Sequence, residues 1–143
     1  MPAADGVRRY ATGTTVPVER SRQELERLLE NHDATAIGVH RDGSGTVIVF
    51  RMAERLIKHM VRCPHEQTEQ YAEREFRRRW RSLLLIIKAK LELVASGDSS
   101  VEEAFLGQIM LAGGETLYES VHEPLARHYE TREPAQLLLG AGK

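Results

Sequence analysis

The chain has 143 residues, 41% of them hydrophobic and 29% charged, proportions ordinary for a globular protein, and a chain of this size buries about 68–70% of its unfolded surface, so a core forms without disulfides or metal staples. Twenty lysines and arginines against 21 aspartates and glutamates leave a formal net charge of −1, which excludes a global field pulling the protein to polyanions; attraction to nucleic acid or membrane has to come from a local patch. The lone Cys63 excludes an internal disulfide and fits a reducing compartment, and no apolar run approaches the roughly 20 residues of a membrane span.

Residues 1–17 are small, polar and Gly/Thr-rich and lack the apolar stretch of a signal peptide. They are expected to form a flexible arm, closed by Pro17, which discourages helix before it. A cytosolic location follows as an expectation. Ser21-Arg22-Gln23-Glu24 reads as a capping box, opening a short helix with Leu25, Leu28 and Leu29 on one face and an end near residues 31–33. Three strands are predicted next, TAIGVH (35–40), TVIVFRM (46–52) and RLIKHMVR (55–62). Asp42-Gly43 offers the positive-φ residues of a hairpin, and Ala53-Glu54 is the second tight link. In the middle strand Val47, Val49 and Arg51 point one way and Ile48, Phe50 and Met52 the other; the second set is larger and more apolar, so it is the expected core face. Cys63-Pro64 ends the meander.

From about Glu66 to Ala95 there is no Pro or Gly, and the period turns helical. Phe76, Trp80, Leu83, Leu84, Ile87, Leu91 and Val94 form one apolar stripe. Ile86 and Leu93 widen it, which predicts burial on more than one side, and Gly97 marks the stop. Ser100–Glu103 and Thr116–Glu119 are two further capping boxes. The second opens a helix carrying Leu117, Val121 and Leu125, where Pro124 either kinks the helix or begins a new turn. The expected fold is therefore α+β: a short helix, a three-stranded antiparallel meander, a long central helix packed on the sheet, and C-terminal helices. The same order of elements occurs in double-stranded RNA-binding domains. One α+β domain is expected over residues 18–130, with residues 131–143 as a tail whose Leu137, Leu138 and Leu139 pack on the chain itself or on a partner.

Five arginines crowd residues 74–81. Glu73 and Glu75 stand four residues before Arg77 and Arg79, the favourable orientation for helical ion pairs. Arg74, Arg77, Arg81 and Lys88 fall in one strip beside the apolar stripe, at spacings that can follow a phosphate backbone. Arg8 and Arg9 of the arm are candidates to assist. The alternative is a solvated edge whose side-chain stems cover apolar surface. Trp80 lies within the apolar stripe and is expected in the core. No phosphate-binding loop, nucleophile elbow or His-Glu-x-x-His motif is present, so neither catalysis nor a cofactor is expected. His59, Cys63 and His65 are close in sequence, but their spacing matches no recurrent zinc site.

The segments TTVPVERSRQELERLL, VIVFRM, RRRWRSLLLIIKAKLE, EEAFLGQIMLAGGETLYE and YETREPAQLLL resemble a widespread family of small proteins carried by tailed phages and prophages. The likeness covers roughly residues 12–140, and members carry a longer polar insertion where this chain has CPHEQTEQYAER. It implies a provenance in a bacterial host cytosol and assigns no activity or catalytic residues. Two functional readings follow. The first is a non-enzymatic phage accessory protein that contacts DNA or RNA through the basic strip. The second is an interaction module, either an inhibitor or adaptor of a host protein or a homo-oligomeric subunit, with Leu137, Leu138 and Leu139 at its contact.

Overall fold

The computed structural model describes residues 16–64 and 68–133. In chain order these form α1 (Val18–Asn31), β1 (Thr35–Asp42), β2 (Gly45–Met52), β3 (Arg55–Arg62), α2 (Glu69–Ala95), α3 (Val101–Ala104), a 3-10 turn (Leu106–Gln108) and α4 (Leu117–Thr131). The three strands are antiparallel in the order β1-β2-β3, the α+β arrangement the patterning predicts. Arg8, Arg9, His65, Leu137, Leu138 and Leu139 lie outside the described residues.

Helix α1 begins one turn earlier than its sequence signal. Pro17 is the N-cap, and its carbonyl accepts from the amides of Arg20 and Ser21. Ser21 thus sits inside the helix, where its buried hydroxyl has no hydrogen-bond partner. Pro is well suited to a helix start because no donor is needed there, and that preference overrides the Ser–Glu pair. Leu25 and Leu29 are buried beneath this helix.

The β1–β2 hairpin turns on Gly43-Ser44, with Asp42 paired to Gly45. The Asp42 carboxylate accepts from both the amide (2.8 Å) and the hydroxyl (2.7 Å) of Ser44, and these bonds hold it below the usual carboxylate range. Among the described turn residues the positive φ falls on Gly45, at 147°, rather than on Asp42-Gly43. A Cβ there would stand 2.3 Å from the Val61 carbonyl oxygen, so glycine lets β3 approach. In β1, Thr35 pairs with Arg51 and Gly38 with Val49. Three steps along β1 therefore match two along β2, a bulge centred on Ala36 (φ 51°).

Strands β2 and β3 pair continuously from Gly45–Arg62 to Met52–Arg55. Their link places both Ala53 (φ 49°) and Glu54 (φ 63°) in the left-handed region, the two-residue turn for which Asn-Gly is the preferred sequence. Replacing Ala53 by Asn and Glu54 by Gly together should raise stability by about 1–2 kcal/mol, the cost of holding side-chain-bearing residues left-handed. Urea denaturation checks this, and an unchanged midpoint would show that the turn carries no strain.

The core lies between the sheet and the helices. Ile48, Phe50 and Met52 of β2 and Ile57 and Val61 of β3 meet Phe76, Trp80, Leu84, Ile87 and Leu91 of α2, with Leu25, Leu29 and Phe105 closing the cluster. The alternation read along β2 holds. The expectation that α2 is buried on more than one side does not: Ile86 is 42% and Leu93 46% exposed. Among the described residues the sheet, α1 and α3 pack against α2, and those two residues fall outside what they cover. Helix α2 is capped by the Thr68 hydroxyl, which accepts from the Tyr71 amide, and stops at Gly97 (φ 84°).

The chain then closes along the free edge of β3. The Met110 amide donates to the Leu56 carbonyl, Ile109 bridges Ile57, and Thr116 bridges back to Met110. Thr116 and Glu119 form a complete capping box at the start of α4, and the Thr116 amide holds the Glu119 carboxyl below its ordinary range. Helix α4 runs unbroken through Pro124.

Candidate interaction surfaces

Three surfaces compete for a function, and the arginine run of α2 is the first. Arg77 meets Glu73 at 3.5 Å. Arg81 reaches across to Glu24 of α1 at 2.7 Å. Arg78 forks onto Glu75 at 3.1 and 2.7 Å, and Arg79 reaches the same carboxylate at 3.5 Å while donating to the Arg62 carbonyl. Glu75 is buried, and its fork raises the Arg78 guanidinium above its ordinary pKa. The i,i+4 rule finds the pairs with Glu73 and Glu75; it misses Arg78, which pairs at i,i+3, and Arg81, whose partner lies on another helix. Of the predicted strip, Arg77 and Arg81 are thus engaged by carboxylates. Arg74 and Lys88 are exposed and make no ion pair among the described residues.

The second surface is the side of the sheet away from the helices. Three rows cross it: His40, Val47 and Met60; Gly38, Val49 and Lys58; Arg51 and Leu56. Val47, Val49, Leu56 and Met60 are half-buried, whereas Arg51 and Arg62 are exposed and have no ion pair among the described residues. The Lys58 ammonium donates to the Gly114 carbonyl at 3.2 Å. This face is apolar at its centre and cationic at its margins. Sequence patterning isolates Val47, Val49 and Arg51 as a set; only the β2–β3 register adds Lys58 and Arg62 to it.

The third is α4. Gly107 of the 3-10 turn lies against Tyr118, and the helix packs on that turn with Leu117 and Val121 half-buried. None of its residues is fully buried. Tyr118 is 61% and Tyr129 72% exposed, and Leu125 and the neighbouring Leu106 are open as well. Tyr118 stacks on His122. These apolar residues share one side of the helix, while Glu119, Glu123 and Glu130 form a row beside them at spacings of four and seven.

His59 faces the core rather than a metal. It is 8% exposed, parallel to the Phe50 ring and edge-on to Phe105, and its Nδ1 has no partner. Burial, with Lys90 nearby, lowers its pKa from 6.5 to about 4. Cys63 is a half-buried free thiol. Among the described residues no cluster of His, Cys, Asp and Glu is arranged to hold a metal, and no helix is long and apolar enough to cross a membrane. Comparison with protein families, with curated proteins and with solved structures finds no match for this chain.

Proposed function

We propose that the chain is a non-enzymatic protein-interaction module that docks through the open side of α4. One observation carries the reading: a 15-residue helix on which no residue is buried, with two tyrosines and a leucine presented to solvent. Helices of this length are marginal in water unless an apolar face is covered, and tyrosine is enriched where protein surfaces meet. An adaptor or inhibitor of another protein, or a self-assembling subunit, would both use such a face.

The test substitutes Leu125 and Tyr129 by glutamine, which retains helix propensity. In dilute solution the double variant should keep its stability to within about 0.5 kcal/mol, as exposed positions do, while association is lost. A drop above about 2 kcal/mol would instead make these residues part of the core.

Arg74 and Lys88 favour a second reading, contact with nucleic acid. Two free cations on one helix predict a slope of log affinity against log salt near −1.8 on duplex DNA, whereas all four members of the strip would give about −3.6. A salt titration of binding distinguishes the two, and no binding at low salt removes the reading.

A further inference from the structure

Among the described residues two surfaces stand unpartnered with opposite charge, and from them we infer that the partner of α4 is the open sheet face of a second copy of this chain. The inference rests on the reading of α4 as a docking helix and names what that helix docks on. The sheet offers the half-buried Val47, Val49, Leu56 and Met60, with Arg51 and Arg62 free of ion pairs among the described residues and Lys58 bonded to the Gly114 carbonyl. The helix offers exposed Tyr118, Leu125 and Tyr129 beside the exposed Glu123 and Glu130. Apolar thus meets apolar, and Glu123 and Glu130 meet a cationic margin whose nearest carboxylate in its own chain, Glu119, is held by the Thr116 amide.

The dimensions agree. A 15-residue helix is about 22 Å long, and 8-residue strands span about 26 Å. Lys58 and Arg62 lie about 13 Å apart along β3, close to the rise of about 10 Å between Glu123 and Glu130. Gly38 leaves the β1 side of this face without a side chain, with open space where a Cβ would stand, so a helix can lie flat across it. The start of α4 is already beside this face, since Glu119 feels the charges of Lys58 and Arg62. A two-fold exchange, each α4 on the other copy's sheet, covers both surfaces twice with one contact. Such closed, self-complementary interfaces are the commonest way for a chain to pair with itself.

Light scattering on the full chain, run with two charge-reversal variants, tests this. Arg51→Glu with Lys58→Glu reverses the sheet; Glu123→Arg with Glu130→Arg reverses the helix. The unmodified chain should run at twice the chain mass at tens of micromolar. Each variant alone should run as a monomer, and an equimolar mixture should recover the double mass, because both contacts of the mixed pair are then complementary. A monomeric unmodified chain, or a dimer whose variants fail to complement, overturns the exchange. The docking role of α4 is read separately: if glutamine at Leu125 and Tyr129 dissociates a dimer that the charge reversals leave intact, α4 docks, but on another surface.

Discussion

Replacing Trp80 by alanine should lower stability by about 3–5 kcal/mol, the usual cost of emptying a large buried aromatic site. A domain of this kind has only about 5–15 kcal/mol in all, so the variant stands near the edge of folding, with a melting temperature lower by about 10 °C. The size of the effect comes from position. Trp80 is 1% exposed and sits midway along α2, with Phe76 one turn before it and Leu84 one turn after, in the cluster that joins the helices to the sheet. Its indole nitrogen has no hydrogen-bond partner, so Trp80→Phe removes an unsatisfied donor while filling most of the space and should cost far less than alanine. Thermal and urea denaturation of the two variants checks both statements. An alanine variant as stable as the parent would place the indole outside the core.

Acidification should cost the fold about 3 kcal/mol between pH 6.5 and pH 4, through His59 alone. The imidazole is neutral in the folded chain because burial, with Lys90 nearby, lowers its pKa to about 4 from an ordinary 6.5. In that window the unfolded chain binds a proton that the folded chain does not, so stability is complete above pH 6.5 and falls as the pH drops toward 4. A shift of this size converts at about 1.4 kcal/mol per pH unit. The ring packs against both Phe50 and Phe105, and the Lys90 ammonium lies over the Phe105 ring at 5.3 Å while donating to Gln108 at 3.4 Å. A second positive charge at this junction opposes the packing of the 3-10 turn on β3, so the segment leading into α4 should loosen first. His59→Phe keeps the ring and removes the titration. Its stability should be flat where that of the parent slopes, and an equal slope in both chains would assign the acid sensitivity elsewhere.

Most of the architecture was legible because it rests on periodicity. The alternation of Ile48, Phe50 and Met52 defined the buried sheet face, and spacings of three and four from Phe76 to Leu91 defined the buried side of α2. What was misread depended on neighbours distant in sequence. Ile86 and Leu93 look like core by composition, yet among the described residues no element covers the side of α2 on which they lie. Ser21 resembles a cap, but Pro17 starts the helix before it. The tight link at Ala53-Glu54 was read correctly, but its left-handed backbone was not, since neither residue is of a type that announces it. The candidate surfaces were harder to see for the same reason. Arg81 seems free until Glu24 is brought from 57 residues away, and Arg51, Lys58 and Arg62 become one surface only through the β2–β3 pairing. The open side of α4 does not follow from the four-residue spacing of Leu117, Val121 and Leu125, because only Leu117 and Val121 find cover.

The most direct test of α4 as the docking element places a photoreactive phenylalanine at Tyr129 and another at the exposed Glu30 of α1, and illuminates each full-length chain at working concentration, alone and in cell extract. The account predicts a polypeptide adduct from position 129, on a second copy in the purified sample, and none from position 30. Equal labelling from both positions, or none from position 129 in either sample, would contradict it.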